Sequence, residues 1–187
     1  MDIEQKYTDS SIAFIDIEVE PKSGKIFDIG CIKDNNSTFH NHSLPDFMEF
    51  LRGSQFLCGH NILNHDTKYI GKALNKEVKT DNIIDTLFLS PLLFPTKPYH
   101  KLLKDDKLQS DDLNNPLNDA IKAKDLFYDE IAAFQQTEDT LKQIFYLLLN
   151  DKKEFHAFFK FIQYSAENSE IEQLIRQKFK NAKMLIC

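Results

Sequence analysis

The chain is poor in the residues that build loops and cross-links. Its 187 residues include five glycines, six prolines, three cysteines and no tryptophan. So little Gly and Pro argues against a low-complexity or repetitive chain. Cys31, Cys58 and Cys187 are widely spaced, and no Cys/His spacing resembles a zinc site. Cys31 and Cys58 sit in apolar, strand-like runs, so they read as buried free thiols and point to a reducing, cytoplasmic compartment. No stretch approaches the roughly 20 apolar residues of a membrane span. The N-terminus lacks the basic-then-apolar pattern of a signal peptide. No membrane partner is therefore expected. Basic charge is also short: 23 Lys and Arg against 29 Asp and Glu give a net charge of −6. A dedicated duplex binder is usually basic, so this balance argues against one. Two basic clusters, Lys97, Lys101, Lys104 and Lys107, and Arg176, Lys178, Lys180 and Lys183, read first as solvated faces.

What the chain does contain is apolar material: 42% hydrophobic residues, sixteen of them Phe. That suffices for one domain with a core. Residues 12–18, 25–33 and 37–42 read as three strands in an antiparallel meander, with turn signals at Gly24 and Asn35-Asn36. Helix is expected over 45–51 and 64–74, and strand over 56–60 and 82–85. Pro91, Pro95 and Pro98 are expected to break residues 86–112 into short pieces, with a short helix over 99–105. A long helix opens at Pro116, followed by helices over 140–150, 152–164 and 169–180. The prediction is an α/β fold: a mixed five-stranded sheet flanked by helices, with a C-terminal helical extension. The sheet domain would cover residues 1–135. Residues 136–187 would form the extension, whose apolar end, Met184-Leu185-Ile186-Cys187, reads as a link to a further domain. The Phe155, Phe158, Phe159 and Phe161 run reads as core or as a docking surface for a protein partner.

Within the first strand, Phe14-Ile15-Asp16-Ile17-Glu18, alternation puts Asp16 and Glu18 on one face and Ile15 and Ile17 on the other. Two adjacent carboxylates in an apolar strand repel each other and lose solvation. The pair is either a wet strand end or half of a cation site. Asp66 stands three, four, seven and eight residues before Tyr69, Ile70, Ala73 and Leu74, so it faces the sheet. Asp119 stands four and seven residues before Ala123 and Leu126 and also faces inward. Singly, each reads as a first-turn acid stabilised by the helix dipole. Together the four acids lie on three sheet-facing elements.

This pattern resembles the DEDD superfamily of 3′→5′ exonucleases, with its ribonuclease-H-like fold. Phe-Ile-Asp16-Ile-Glu18 is similar to the first family motif. His60-Asn61 followed after four residues by Asp66 is similar to the second, with the spacing of proofreading domains in family B polymerases. Ile84-Asp85-Thr86 matches the strand that usually follows, and Leu117-Asn118-Asp119-Ala120 matches the third motif. The resemblance covers about residues 10–135. Residues 95–108 and the helical tail also resemble the exonuclease segment that precedes the helicase in some bacterial RecQ-like helicases. The resemblance implies that Asp16, Glu18, Asp66 and Asp119 hold two divalent ions, Mg²⁺ or Mn²⁺, because hard cations prefer carboxylate oxygens. It also implies a single-stranded nucleic-acid substrate, DNA favoured over RNA, a helicase domain in the same polypeptide and a place in DNA repair. Val19, Asn61, Lys101 and Lys104 would bind the substrate.

The pattern departs from the family at one position. Active members of the most similar branch carry His five residues before the last acid, where this chain has Asn114. The sister branch carries Tyr four residues before it, where this chain has Asn115. Neither Asn titrates. General-base assistance is worth about 10²–10⁴-fold, so slow catalysis, altered chemistry or binding without cleavage is expected. His100 is the substitute base favoured by its place near the expected cleft. His65 ranks below it, as a neighbour of Asp66 expected to point away.

Overall fold

A computed structural model describes residues 11–74, 77–102, 115–167 and 170–180. Five strands form one sheet: β1 (Ile12–Val19), β2 (Ile26–Lys33), β3 (Thr38–His40), β4 (Phe56–Gly59) and β5 (Ile83–Asp85). Their order is β3-β2-β1-β4-β5. β1, β2 and β3 pair antiparallel, as the turn signals predict, whereas β1–β4 and β4–β5 pair parallel. The C-terminal ends of β1, β4 and β5 therefore share one edge of the sheet. In open mixed sheets this is where ligand-binding chemistry gathers.

Seven helices accompany the sheet among the described residues: α1 (Leu44–Leu51), α2 (Thr67–Leu74), α3 (Thr86–Leu93), α4 (Pro116–Gln136), α5 (Asp139–Leu149), α6 (His156–Phe161) and α7 (Ile171–Lys178). Strand alternation sorts the core into two layers. Ala13, Ile15, Ile17 and Leu57 pack with Phe47, Ile70 and Leu74 of α1 and α2. Ile12, Phe14 and Cys58 pack on the other face with Phe127, Ile131 and Phe134 of α4. Phe158, Phe159 and Phe161 of α6 are buried in this second cluster, Phe161 lying 5.2 Å from both Phe56 and Phe127. These rings are core, which removes the motive for reading them as a docking surface.

Three local expectations need correcting. Residues 86–93 form helix α3 in spite of Pro91, because the Asp85 side chain caps it by accepting from the Leu87 amide. Residues 99–102 are not helical, and the rest of the expected 99–105 helix lies outside the described residues. The helix expected from residue 64 begins at Thr67 instead. The preceding residues form a turn that Asp85 holds through two backbone amides.

No described helix is long and apolar enough to cross a membrane.

Candidate functional site

Asp16 and Glu18 occupy the C-terminal half of β1, on the face that carries Phe14 and the α4 layer. Ile15 and Ile17 are buried in the opposite layer. The alternation expected from the sequence is thus the one observed. Opposite Asp16 across the β1–β2 ladder stands Gly30. A Cβ on Gly30 would lie 2.0 Å from the Leu117 nitrogen and 2.1 Å from the Pro116 carbonyl carbon. The first turn of α4 therefore rests directly on the backbone of β2, a closeness that any side chain would prevent. Asn115 caps this helix, its side-chain oxygen accepting from the Leu117 and Asn118 amides. Asp119 follows within the first turn. A glycine inside the apolar run of β2 is the sequence signal for this approach.

Asp66 reaches the same edge from the other layer. Its carbonyl accepts from the Tyr69 and Ile70 amides at the start of α2, and its side chain is only 2% exposed. The turn that carries it is set by Asp85, which is wholly buried. Asp85 Oδ1 accepts from the Asn61 amide at 2.8 Å, and Oδ2 from the Leu63 amide at 3.0 Å. Asn61 takes a left-handed backbone conformation, φ 66°, which Asn tolerates better than most residues. Asn61 thus has a backbone role in shaping the turn.

Asp16 feels the other three acids. Burial pushes the Asp16 carboxyl up to about 8, and Asp66, Asp119 and Glu18 each add to the rise through like charge, with His65 opposing them. Burial also raises the Asp66 carboxyl, and its Oδ1 is buried with no hydrogen-bond partner. An orphaned, desolvated carboxylate oxygen within a set of hard oxygen donors fits a divalent cation. Among the described residues, no three His, Cys, Asp or Glu side chains already stand in metal-holding geometry. Two cationic groups flank the set. Lys122 Nζ lies 3.8 Å from Asp119 Oδ1, and His65 Nδ1 lies 3.8 Å from Asp66 Oδ2. The Asp66 carboxylate holds the His65 imidazole above its usual range. The expectation that His65 points away from its neighbour is therefore corrected. Side chains one residue apart in a turn can converge, whereas strand neighbours cannot.

A fifth acid joins this edge. Asp28 stands opposite Glu18, and its Oδ2 lies 2.7 Å from His40 Nε2. His40 is thereby tied to β2.

His100 has other partners. Its Nδ1 lies 3.0 Å from the Ser90 hydroxyl of α3, and it neighbours His60. No hydrogen bond or ion pair joins it to the four acids among the described residues. His60, in turn, places Nδ1 2.8 Å from the Thr86 hydroxyl, and burial pushes its imidazole down to about 4. Val19 ends β1 and is half-buried, packing against the layer that holds Ile15 and Ile17. Lys101 is exposed in the loop after His100. Asn114 and Lys104 lie outside the described residues.

No family model matches the chain, and neither does any curated protein or solved structure.

Proposed function

We propose that this chain is a metal-dependent 3′→5′ exonuclease of the DEDD type, with a ribonuclease-H-like fold, that releases nucleotides from single-stranded DNA ends. One observation carries the reading: Asp16 lies within electrostatic reach of Glu18, Asp66 and Asp119, which arrive from a strand, the turn before α2 and the first turn of α4 at the C-terminal edge of the sheet. Two Mg²⁺ or Mn²⁺ ions bound there would activate water and neutralise the scissile phosphate.

The protein's own part is to hold the oxygens in place. Asp16, central to the set, would hold the ions together with Glu18 and Asp119. Asp66 would contribute the oxygen that lacks a partner. Gly30 lets the first turn of α4 bring Asp119 against β1 and β2. Val19 and Asn61 would flank the terminal nucleotide, and Lys101 and Lys104 would contact phosphates. A helicase domain in the same polypeptide, a cytoplasmic location and a role in DNA repair go with this reading.

The direct test is a 5′-labelled single-stranded oligonucleotide incubated with Mg²⁺ or Mn²⁺. Stepwise shortening by the wild type and its loss in Asp16→Asn are expected. Absence of shortening, or shortening that Asp16→Asn leaves unchanged, rejects the proposal.

Asn114 favours a second reading, in which the chain binds 3′ ends without cutting them. Asn115, at the alternative base position, is occupied as the helix cap of α4. On this reading the wild type binds ends in a metal-dependent way and forms no product, and Asn114→His restores cleavage.

A further inference from the structure

The edge of the sheet away from the acids holds a second set of polar groups. There, at the N-terminal ends of β4 and β5, Asn82 ties three segments together. Its Nδ2 donates to the Gln55 carbonyl at 2.8 Å, and its Oδ1 accepts from Lys160 Nζ of α6 at 2.7 Å. A cavity of about 580 Å³ lies against this joint, with Ser54, Glu77, Lys79 and Lys160 in its lining. A second cavity, of about 320 Å³, has Tyr146, Asn150, Phe159, Gln163 and Tyr164 in its lining. Lys160 lines both, so the two meet at this residue. Each volume is in the range of small-ligand sites.

The first cavity is cationic. No carboxylate pairs with Lys79 or Lys160 among the described residues, and Glu77 is the one acid in the lining. The Ser54 hydroxyl, buried in the wall, has no hydrogen-bond partner. Unneutralised ammonium groups beside an unmet hydroxyl suit an anion, because hydrogen bonds to ionised groups are the strong ones. The second cavity is aromatic. The Tyr146 ring meets Phe159 at a centroid distance of 5.3 Å and Tyr164 at 5.7 Å. Two side-chain amides share this lining. Asn150 Nδ2 donates to the Tyr146 carbonyl at 2.7 Å, which leaves Asn150 Oδ1 to accept. Gln163 holds φ 52°, the left-handed region that favours glycine at the end of a helix. Keeping a long amide side chain there strains the backbone and supplies a donor and an acceptor beside the rings.

We propose that the two cavities form one binding site for a nucleoside phosphate, with the base among Tyr146, Phe159 and Tyr164 and the phosphate between Lys79 and Lys160. A flat heterocycle with polar edges suits rings flanked by amides, and a dianion suits the two lysines. One residue, Lys160, joins the halves as a sugar joins base to phosphate. The four acids take no part, since they stand at the opposite edge of the sheet, so this site is independent of the exonuclease reading. The nucleoside phosphate is either a free nucleotide or the end of a strand, two sources with the same chemistry.

The test is titration calorimetry on the full chain with adenosine 5′-monophosphate, in EDTA so that no metal draws the phosphate to the acids. Saturable binding is expected, and adenosine or inorganic phosphate alone should bind at least about tenfold more weakly. Lys79→Ala and Lys160→Ala should each weaken binding about tenfold, the usual worth of a hydrogen bond to a charged group. Gln163→Gly relieves the left-handed strain, so its melting temperature should hold or rise while binding weakens. That result separates a lost contact from a lost fold. A 5′-phosphorylated oligonucleotide binding more tightly than the mononucleotide, with the same loss in Lys160→Ala, assigns the site to a strand end. Tighter binding of the mononucleotide assigns it to a free nucleotide. Absence of binding by both probes overturns the proposal and leaves the exonuclease reading standing. Binding that Lys79→Ala and Lys160→Ala leave unchanged, or adenosine binding as tightly as its monophosphate, also overturns it.

Discussion

A side-chain carbon on Gly30 would stand 2.0 Å from the backbone nitrogen of Leu117. Real Cβ atoms essentially never come so close to another atom, so the contact exists only because residue 30 is glycine. Its consequence reaches the site, because the turn of α4 that rests on Gly30 also carries Asp119, and Gly30 itself faces Asp16.

Gly30→Ala should therefore damage the site and the fold together. The helix must lift off the strand, and the obstacle is backbone rather than a movable side chain. A loss of at least about 1–3 kcal/mol is expected, the usual cost of overpacking, read from urea denaturation. Whatever fraction stays folded should show weaker Mn²⁺ binding by titration calorimetry. Unchanged stability and unchanged metal affinity in Gly30→Ala would show that the contact does not set the position of Asp119.

Asp16→Asn separates function from stability. The substitution removes one member of a mutually repelling set, so the metal-free protein should melt at an equal or higher temperature than the wild type. Cleavage should fall at least about 100-fold, since a carboxylate proposed to hold the ions is lost. A variant that is both less stable and still active would contradict the assignment of Asp16.

Asp85 tests how the second acid is placed. Its carboxylate accepts from three backbone amides, those of Asn61, Leu63 and Leu87. Asp85→Ala leaves these donors without their acceptor and should cost about 2–4 kcal/mol. Hydrogen exchange at the Asn61 and Leu63 amides should accelerate more than at the β1 amides. Equal acceleration throughout would indicate global destabilisation alone and no special hold on the turn that carries Asp66.

Glu130 supplies a pH dependence. It is fully buried on α4, and both carboxyl oxygens are buried without a hydrogen-bond partner. Burial, reinforced by the Asp85 charge, holds its carboxyl well above the usual range, with Lys97 opposing. The folded state thus keeps a proton that the unfolded state releases near pH 4.5. A raised carboxyl contributes stability fully below the unfolded value and loses it as pH rises towards the folded one. Glu130→Gln mimics the protonated form at every pH. Its melting temperature should exceed that of the wild type at pH 8 and match it near pH 4. The opposite trend would mean that Glu130 is ionised in the fold and has a cationic partner.

Much of this architecture is legible along the chain. The two-residue period of β1 is local, so the shared face of Asp16 and Glu18 follows from strand geometry. The meander of β1, β2 and β3 follows from short turns. Helix α3 is not legible from Pro91, a breaker by itself, because the Asp85 cap and the buried Leu89 outweigh one lost hydrogen bond. The sequence position of His100 does not show that its ring meets Ser90 and His60. The direction of His65 is not legible along the chain because a turn, unlike a strand, has no fixed alternation.

Residue type and spacing alone determine that four carboxylates sit on inward-facing positions of one strand and two helix starts. They also determine which segments are strand and which are helix, since two-residue and helical periods are properties of short segments, whereas the parallel pairing of β1, β4 and β5 is a contact between distant residues. Only the folded chain decides that these acids share one electrostatic environment. That depends on contacts between residues far apart in sequence: Gly30 admitting the turn before Asp119, and Asp85 holding the turn before Asp66. The meeting of the two cavities at Lys160 is of the same kind, because its bond to Asn82 joins residues 78 positions apart.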